Sequence, residues 1–192
     1  MIAMRRILCP VDFSDHSKRA LNHALAIANW YDSTVNVLHV CPVMPAAAYV
    51  SGSGMPAYVT MATEDRDAIM QSLRRFAGCE TTAGARMEIE LTEGGTVATI
   101  LARATALPAD LLVLGTHGRS GFERWVLGSV TEKVLRTALC PVLTVPKDSG
   151  DAAPVLFRRV VCAIDFSECS CMRSTTPRHL LRRPMRNSPW FT

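Results

Sequence analysis

The sequence lacks several features that would assign a function at once. No apolar stretch is long enough to cross a bilayer, and the N-terminus has no apolar segment of the signal-peptide kind. The P-loop pattern GxxxxGK(S/T), the pyrophosphatase-type signature SGGxDS and the signatures of RRM, KH and helix-turn-helix domains are also absent. We therefore expect a cytoplasmic protein that has no membrane anchor and does not bind nucleic acid.

The length and the charge distribution limit the domain organisation. The chain has 192 residues, 48% of them hydrophobic, which suits one well-buried domain and a remnant but not two ordinary domains. The net charge of +4 comes from the end of the chain, because the segment from Cys169 onward holds five arginines and no acid. The rest has 16 basic and 17 acidic residues. We expect a disordered basic tail at residues 171–192.

The cysteines do not form a disulfide framework. There are seven, an odd number, and most lie within apolar runs, which predicts reduced thiols in a core. Cys169 and Cys171 are the exception because neither lies within an apolar run. Their C-x-C spacing has no second ligand pair, so we favour two exposed tail thiols over a metal site.

Short apolar runs alternate with segments of helical periodicity. Strands are predicted at residues 7–11, 35–40, 87–91, 111–114 and 141–145. Four helical segments lie between them, and the first has Ser14 or Ser17 as its candidate N-cap. Five strands separated by four helices predict an α/β fold in which helices cover both faces of a doubly wound parallel sheet.

A glycine pattern follows the fourth predicted strand directly. In GTHGRSGFERWVLGS, Gly115, Gly118, Gly128 and Ser129 have the spacing Gx2Gx9G(S/T). Glycine lets phosphate oxygens approach backbone N–H groups closely, and Gly128 opens a helix whose N-terminus favours an anion. A surface loop that ends in a serine N-cap is the alternative interpretation.

Asp12 follows the first predicted strand. If the first and fourth strands are neighbours at a switch point, Asp12 and the glycine loop line one crevice at the carboxyl end of the sheet. An acidic acceptor for sugar hydroxyls and an N–H cradle for phosphates would then form a nucleotide site. The alternative is that Asp12 is a helix N-cap or turn residue. The uncharged segment of residues 41–63 is expected to be a long crossover loop beside this crevice.

Three motifs closely resemble the universal stress protein family: PVDFS at residues 10–14, LHV at residues 38–40 and GTHGRSGFERWVLGSVTEKVLRTALCPVLTVP at residues 115–146. The resemblance covers about residues 4–146. It implies a Rossmann-like, adenine nucleotide alpha hydrolase-like fold with strand order 3-2-1-4-5. It also implies that ATP is bound, with or without Mg²⁺, and that a homodimer forms through the strand that runs from Pro141 to Val145.

The resemblance also implies roles for individual residues. Asp12 and Gly115 contact the ribose, and Pro10 and Val40 flank the adenine. The phosphates are surrounded by Gly118, Gly128, Ser129, Val130 and Thr131. Arg119 is a further candidate for the phosphates, although a solvated loop face explains it equally well. Because the glycine motif is intact, we expect a regulatory ATP-binding protein of the stress response; the alternatives are a weak ATPase or nucleotidyl-transferring enzyme, or an interaction module without nucleotide.

The start of the chain is repeated near its end. Residues 158–170, RRVVCAIDFSECS, repeat residues 5–17, RRILCPVDFSDHS, at an offset of 153. Beyond Ser170 the likeness ends, because apolar helix positions of the first copy map onto residues such as Arg173 and Pro177. We predict a domain at residues 1–147, a linker at 148–157 and a truncated second repeat at 158–170. Its orphan strand, residues 160–164, either adds to a sheet edge or another chain or stays disordered.

Overall fold

The structure is a computed structural model that describes residues 4–43, 62–78, 86–116, 127–146 and 161. Strands and helices alternate as predicted: β1 Arg6–Pro10, α1 Asp15–Tyr31, β2 Thr34–Cys41, α2 Thr63–Ala77, β3 Arg86–Glu93, α3 Thr96–Ala106, β4 Leu111–Gly115, α4 Ser129–Thr137 and β5 Val142–Val145. Most of the predicted crossover loop, and the predicted linker, second repeat and tail apart from Val161, lie outside the described residues.

The five strands form one parallel sheet in the order β3-β2-β1-β4-β5, which confirms the expected arrangement. β1 lies at the centre, where Ile7 is aligned with Val35 of β2 and with Leu111 of β4. The chain winds outward from β1 to β3 and then crosses to β4 on the other side of β1. The winding direction therefore reverses between β1 and β4, and a crevice is expected beyond the carboxyl ends of these strands.

β1 is apolar on both faces because helices cover both faces of the sheet. On one face, Ile7 packs in a buried cluster with Leu21 of α1. On the other, Leu8 packs in a second cluster with Ile100 of α3 and Val134 of α4. Burying each large apolar side chain contributes about 1.5–3 kcal/mol, so β1 is held firmly and fixes the start of the loop that follows it.

The N-cap of α1 is Ser14. Its hydroxyl oxygen accepts a hydrogen bond from the backbone N–H of Ser17 at 3.2 Å. Ser17 lies inside the first turn, where its own hydroxyl donates to the Ser14 carbonyl oxygen at 2.9 Å. Of the two predicted N-cap candidates, Ser14 is therefore confirmed.

The three cysteines within the described ranges are free thiols. Cys9 and Cys41 are buried, which confirms the prediction of reduced core thiols for these two positions. Complete burial raises the pKa of the Cys9 thiol to about 12. Burial, and then the nearby carboxylate of Glu93, raise the pKa of Cys41 as well. Cys9 is therefore a protonated, unreactive core thiol at neutral pH.

None of the helices in the described part of the chain combines the length and the apolar character needed to span a membrane.

Candidate functional site

The ends of β1 and β4 lie side by side at the carboxyl edge of the sheet. Leu8 of β1 is aligned with Leu112 of β4, and both strands run in the same direction. Asp12 comes two residues after the end of β1, and Gly115 is the last residue of β4. The two elements that were predicted to form a crevice are therefore neighbours, as the strand order requires.

Asp12 organises the turn between β1 and α1. Its Oδ1 accepts hydrogen bonds from the backbone N–H of Ser14 at 3.1 Å and from the Ser14 hydroxyl at 2.5 Å. The Asp12 N–H donates to the hydroxyl oxygen of Ser17 at 3.3 Å. The turn role that was considered for Asp12 is therefore real. A carboxylate has about four acceptor positions, so this role is compatible with a second one toward a ligand.

Phe13 holds the same loop against two other elements. Its φ of 63° lies in the left-handed region, which is unusual for a bulky residue. The ring packs against His39 of β2, with centroids 4.6 Å apart, and edge-on against Phe76 of α2 at 5.5 Å. Nδ1 of His39 lies 2.7 Å from the carbonyl oxygen of Val11. Sequence reasoning missed this cluster, although Phe13 is identical in the two repeat copies.

Gly115 is required by the packing of β4 against α1. A Cβ at this position would lie 2.9 Å from the backbone carbonyl oxygen of His16. Because that neighbour is backbone, it has little freedom to move away. The glycine therefore brings the end of β4 into direct contact with the first turn of α1. That turn follows directly on residues 11–14, which we call the Asp12 loop.

Short hydrogen bonds attach the start of α4 to the end of β4. The buried Thr131 hydroxyl donates to the Gly115 carbonyl oxygen at 2.8 Å, and the Gly128 N–H donates to the Thr116 carbonyl oxygen at 2.8 Å. The Gly128 amide is thus already used within the protein. The Thr131 hydroxyl has the same structural use, so both residues help to orient α4.

The first turn of α4 presents backbone donors beside the crevice. Gly128 is the N-cap, so the alternative of a serine N-cap at Ser129 is wrong. The first intrahelical bond is donated by Glu132 to the Gly128 carbonyl oxygen, and within the described residues no side chain caps this end. The amides of Ser129, Val130 and Thr131 and the positive end of the helix dipole therefore form a suitable anion site.

Pro10 lies at the end of β1 and Val40 near the end of β2, on the same face of the sheet. Pro10 is in register with Leu38, two residues before Val40. Both Pro10 and Val40 are buried, and Val40 joins the apolar cluster beneath α3. Their side chains supply an apolar surface next to the Asp12 loop.

The remaining predicted site residues, Gly118 and Arg119, lie outside the described residues. The described half of the site thus consists of the Asp12 loop, Gly115 and the first turn of α4, with Pro10 and Val40 at its apolar side. A separate cavity of about 280 Å³ lies beside α3 and is lined in part by Glu90 and Arg103. The side chains of these two residues are hydrogen-bonded, with Nε of Arg103 donating to Oε2 of Glu90 at 2.6 Å.

Comparison with known proteins agrees with this architecture. The model of the universal stress protein family matches residues 4–146. A universal stress protein of Methanocaldococcus jannaschii is 33% identical over 143 residues, which cover 74% of this chain and 82% of that protein.

Solved structures show the same fold. The universal stress protein UspA from Lactobacillus plantarum superposes with a TM-score of 0.54 at 25% identity, over 76% of this chain and 99% of that one. A universal stress protein solved in complex with cAMP gives a TM-score of 0.52 at 27% identity, over 76% of this chain and 98% of that one. With the family model spanning the whole sheet and its four helices, the chain belongs to the universal stress protein family.

Proposed function

We propose that this protein binds ATP in the crevice between β1 and β4 and acts as a regulatory nucleotide binder in stress physiology. The observation that carries the proposal is the position of α4. Its first-turn amides, which no side chain of the described residues caps, lie beside the end of β4, and β4 is the neighbour of the strand that Asp12 follows. Phosphate donors and a ribose acceptor are thereby available at one switch point.

The phosphates would be held mainly by the backbone. The amides of Ser129, Val130 and Thr131 are the described donors, and Gly118 and Arg119 complete the set that the family resemblance implies. Gly128 and Thr131 act in a second way, because their bonds to the end of β4 aim these amides. Backbone donors that are fixed in advance need no reordering when the nucleotide arrives.

The nucleoside would lie toward β1 and β2. The carboxylate of Asp12 accepts from ribose hydroxyls next to Gly115, and Pro10 and Val40 provide the apolar contact for adenine. These roles rest on the family resemblance and on the neighbouring positions of the two strands.

Mg²⁺ would enter together with ATP. In the described ranges, no group of three or more His, Cys, Asp or Glu side chains could hold a metal ion. Mg²⁺ is commonly held through substrate phosphates and water with only one or two carboxylates. We therefore expect the phosphate oxygens of ATP, together with water, to supply most of the ligands of Mg²⁺.

A monophosphate or cyclic adenine nucleotide is the second candidate ligand. The observation that favours it is the related protein that was solved with cAMP, at 27% identity. Titration calorimetry with ATP, AMP and cAMP, each with and without Mg²⁺, separates the candidates. A larger affinity for ATP supports the proposal, since only ATP extends three phosphates toward α4.

Asp12→Asn separates the two roles of this side chain. The amide oxygen of asparagine can still accept from Ser14, so the turn is retained while the negative charge is lost. We expect ATP affinity to fall about tenfold, corresponding to roughly 1.4 kcal/mol, with an unchanged free energy of unfolding. Asp15→Asn, at an exposed neighbouring position, is the control. Unchanged ATP affinity in Asp12→Asn would leave Asp12 with the turn role alone.

We propose that hydrolysis is slow or absent, because the sequence has no GxxxxGK(S/T) pattern and so lacks the lysine and the magnesium-binding hydroxyl of a P-loop. Steady phosphate release above about one turnover per second, within the ordinary range of enzymes, would instead favour an ATPase. Failure to bind any adenine nucleotide would favour an interaction module. Measuring phosphate release and binding on one preparation distinguishes the three functions.

We further propose a cytoplasmic location and a homodimer in which the last strand, from Pro141 to Val145, meets its counterpart in a second copy. What supports the dimer is the position of β5 at the edge of the sheet. Sedimentation equilibrium across a range of protein concentrations tests it.

A further inference from the structure

His39 bonds the backbone of the Asp12 loop from the neighbouring strand β2. Its Nδ1 lies 2.7 Å from the carbonyl oxygen of Val11, the residue before Asp12. A carbonyl oxygen only accepts hydrogen bonds, so Nδ1 carries a proton and is the donor. The Val11 N–H donates to the Leu38 carbonyl oxygen at 2.8 Å. Both backbone polar groups of the buried Val11 are therefore bonded to β2, one residue beyond the end of β1.

The ring of His39 makes a second contact with the same loop. Phe13, with a φ of 63°, lies between Asp12 and the Ser14 N–H that donates to Asp12 Oδ1. The Phe13 ring packs against the His39 ring with centroids 4.6 Å apart. A bulky residue keeps a left-handed conformation only where its surroundings hold it there. His39 therefore supports the residue that precedes Asp12 and the residue that follows it.

Two helices hold the Phe13 ring in addition to β2. Phe76, in the last turn of α2, packs edge-on against this ring with centroids 5.5 Å apart. The ammonium group of Lys18 in α1 donates to the Phe76 carbonyl oxygen and lies 5.2 Å from the centroid of the Phe76 ring. The Phe13 ring is therefore packed in place independently of the hydrogen bond between His39 and Val11. The two contacts of His39 can be removed one at a time.

We propose that His39 is a positioning residue of the nucleotide site, which fixes the Asp12 carboxylate for the ribose hydroxyls. It acts through the loop, with its hydrogen bond before Asp12 and its ring contact after it. An acceptor that is fixed before the ligand arrives loses less conformational freedom on binding. His39 thereby sets how strongly the site prefers ribose to a sugar without hydroxyls. This inference rests on the proposed nucleotide site and adds a specificity-determining residue to it.

Titration calorimetry of the full chain with ATP and with dideoxy-ATP, which lacks both ribose hydroxyls, tests this role. His39→Phe keeps a ring against Phe13 and removes the donor to Val11. We expect ATP affinity to fall about fivefold and dideoxy-ATP affinity to change by less than about twofold. His23→Phe is the matched control, because His23 Nδ1 lies 3.0 Å from the Arg19 carbonyl oxygen within α1. Both affinities should be unchanged in the control.

His39→Asn is the rescue variant. The side-chain amide nitrogen of asparagine lies near the position of Nδ1, so it can still donate to the Val11 carbonyl oxygen, whereas the ring contact with Phe13 is lost. Asparagine is also unfavourable in a strand. We therefore expect His39→Asn to bind ATP more tightly than His39→Phe but to unfold at a lower urea concentration. Opposite orders of ATP affinity and stability distinguish a positioning role from a purely structural one.

Failure of the nucleotide site and failure of the His39 role give different results. If the wild type binds neither nucleotide, the proposed function is overturned and the role of His39 with it. If the wild type binds ATP but His39→Phe leaves ATP affinity unchanged, or lowers both affinities by the same factor, only the role of His39 is overturned. The same holds if ATP affinity follows stability in His39→Phe and His39→Asn.

Discussion

Gly115 lies so close to α1 that a Cβ on it would be 2.9 Å from the carbonyl oxygen of His16. This approach joins the end of β4 to the first turn of α1, where Ser14 and Ser17 hold the Asp12 loop. Gly115 also accepts the Thr131 hydroxyl bond that orients α4. The two halves of the crevice are therefore positioned through one small residue.

Gly115→Ala should destabilise the protein by about 1–3 kcal/mol, because the new methyl group meets backbone that cannot rotate away. Urea unfolding followed by circular dichroism measures the change. Gly95→Ala is the steric control, since a Cβ there meets nothing within 4 Å; because Gly95 is the N-cap of α3, where alanine is less favourable than glycine, a loss of up to about 1 kcal/mol is expected. Equal effects at both positions would contradict the close packing of β4 against α1.

At position 13, a glycine variant should be more stable than an alanine variant, which reverses the usual order of stability for these two residues. Both Phe13→Ala and Phe13→Gly lose the contacts with His39 and Phe76, but only glycine adopts a φ of 63° without strain. We expect the glycine variant to be the more stable of the two by up to about 1 kcal/mol. Ala98→Gly, on the exposed face of α3, should instead cost about 1 kcal/mol. If Phe13→Ala is the more stable variant, the left-handed conformation of this residue is wrong.

Cys9 should make stability depend on alkaline pH. Its pKa is raised by burial from 9.0 to about 12 in the folded protein, so its stabilising contribution is complete below pH 9 and is lost as pH rises toward 12. In that window the unfolded chain loses the thiol proton first. Relative to Cys9→Ala, the wild type should lose up to about 1.4 kcal/mol per pH unit. The free energy of unfolding of both proteins is measured by urea unfolding under reducing conditions at pH 8, 9 and 10. If it changes with pH by the same amount in the wild type and in Cys9→Ala, the prediction is contradicted.

The strands, their order and the neighbouring position of β1 and β4 follow from sequence patterns because they depend on local periodicity and on the family motifs. The choice of Ser14 over Ser17 as N-cap does not, since both hydroxyls have suitable spacing and only the turn made by Asp12 decides between them. The hydrogen bond from the Gly128 N–H to the Thr116 carbonyl oxygen could not be predicted either, because it depends on how the start of α4 lies against the end of β4.

The cluster of Phe13, His39 and Phe76 could not be predicted from the sequence either. Its members come from a loop, a strand and a helix that are far apart in the sequence, and no spacing rule connects them. The roles of Gly118 and Arg119, and the division into domain, linker and truncated repeat, stay predictions.

The most direct test of the central claim removes a single backbone donor from α4. Ser129 is the first helical residue and is exposed, a position where proline is tolerated, and the preceding Gly128 has a ψ of 145° that suits proline. Ser129→Pro therefore deletes one amide hydrogen while the helix is retained, and Ser129→Ala deletes only the hydroxyl.

ATP affinity is measured by titration calorimetry for both variants. We expect ATP affinity to fall about tenfold to a hundredfold further in Ser129→Pro than in Ser129→Ala, because a hydrogen bond to a charged group is worth about 1.5–3 kcal/mol. Equal ATP affinity of the two variants, with circular dichroism showing α4 intact, would contradict phosphate binding by the first turn of α4.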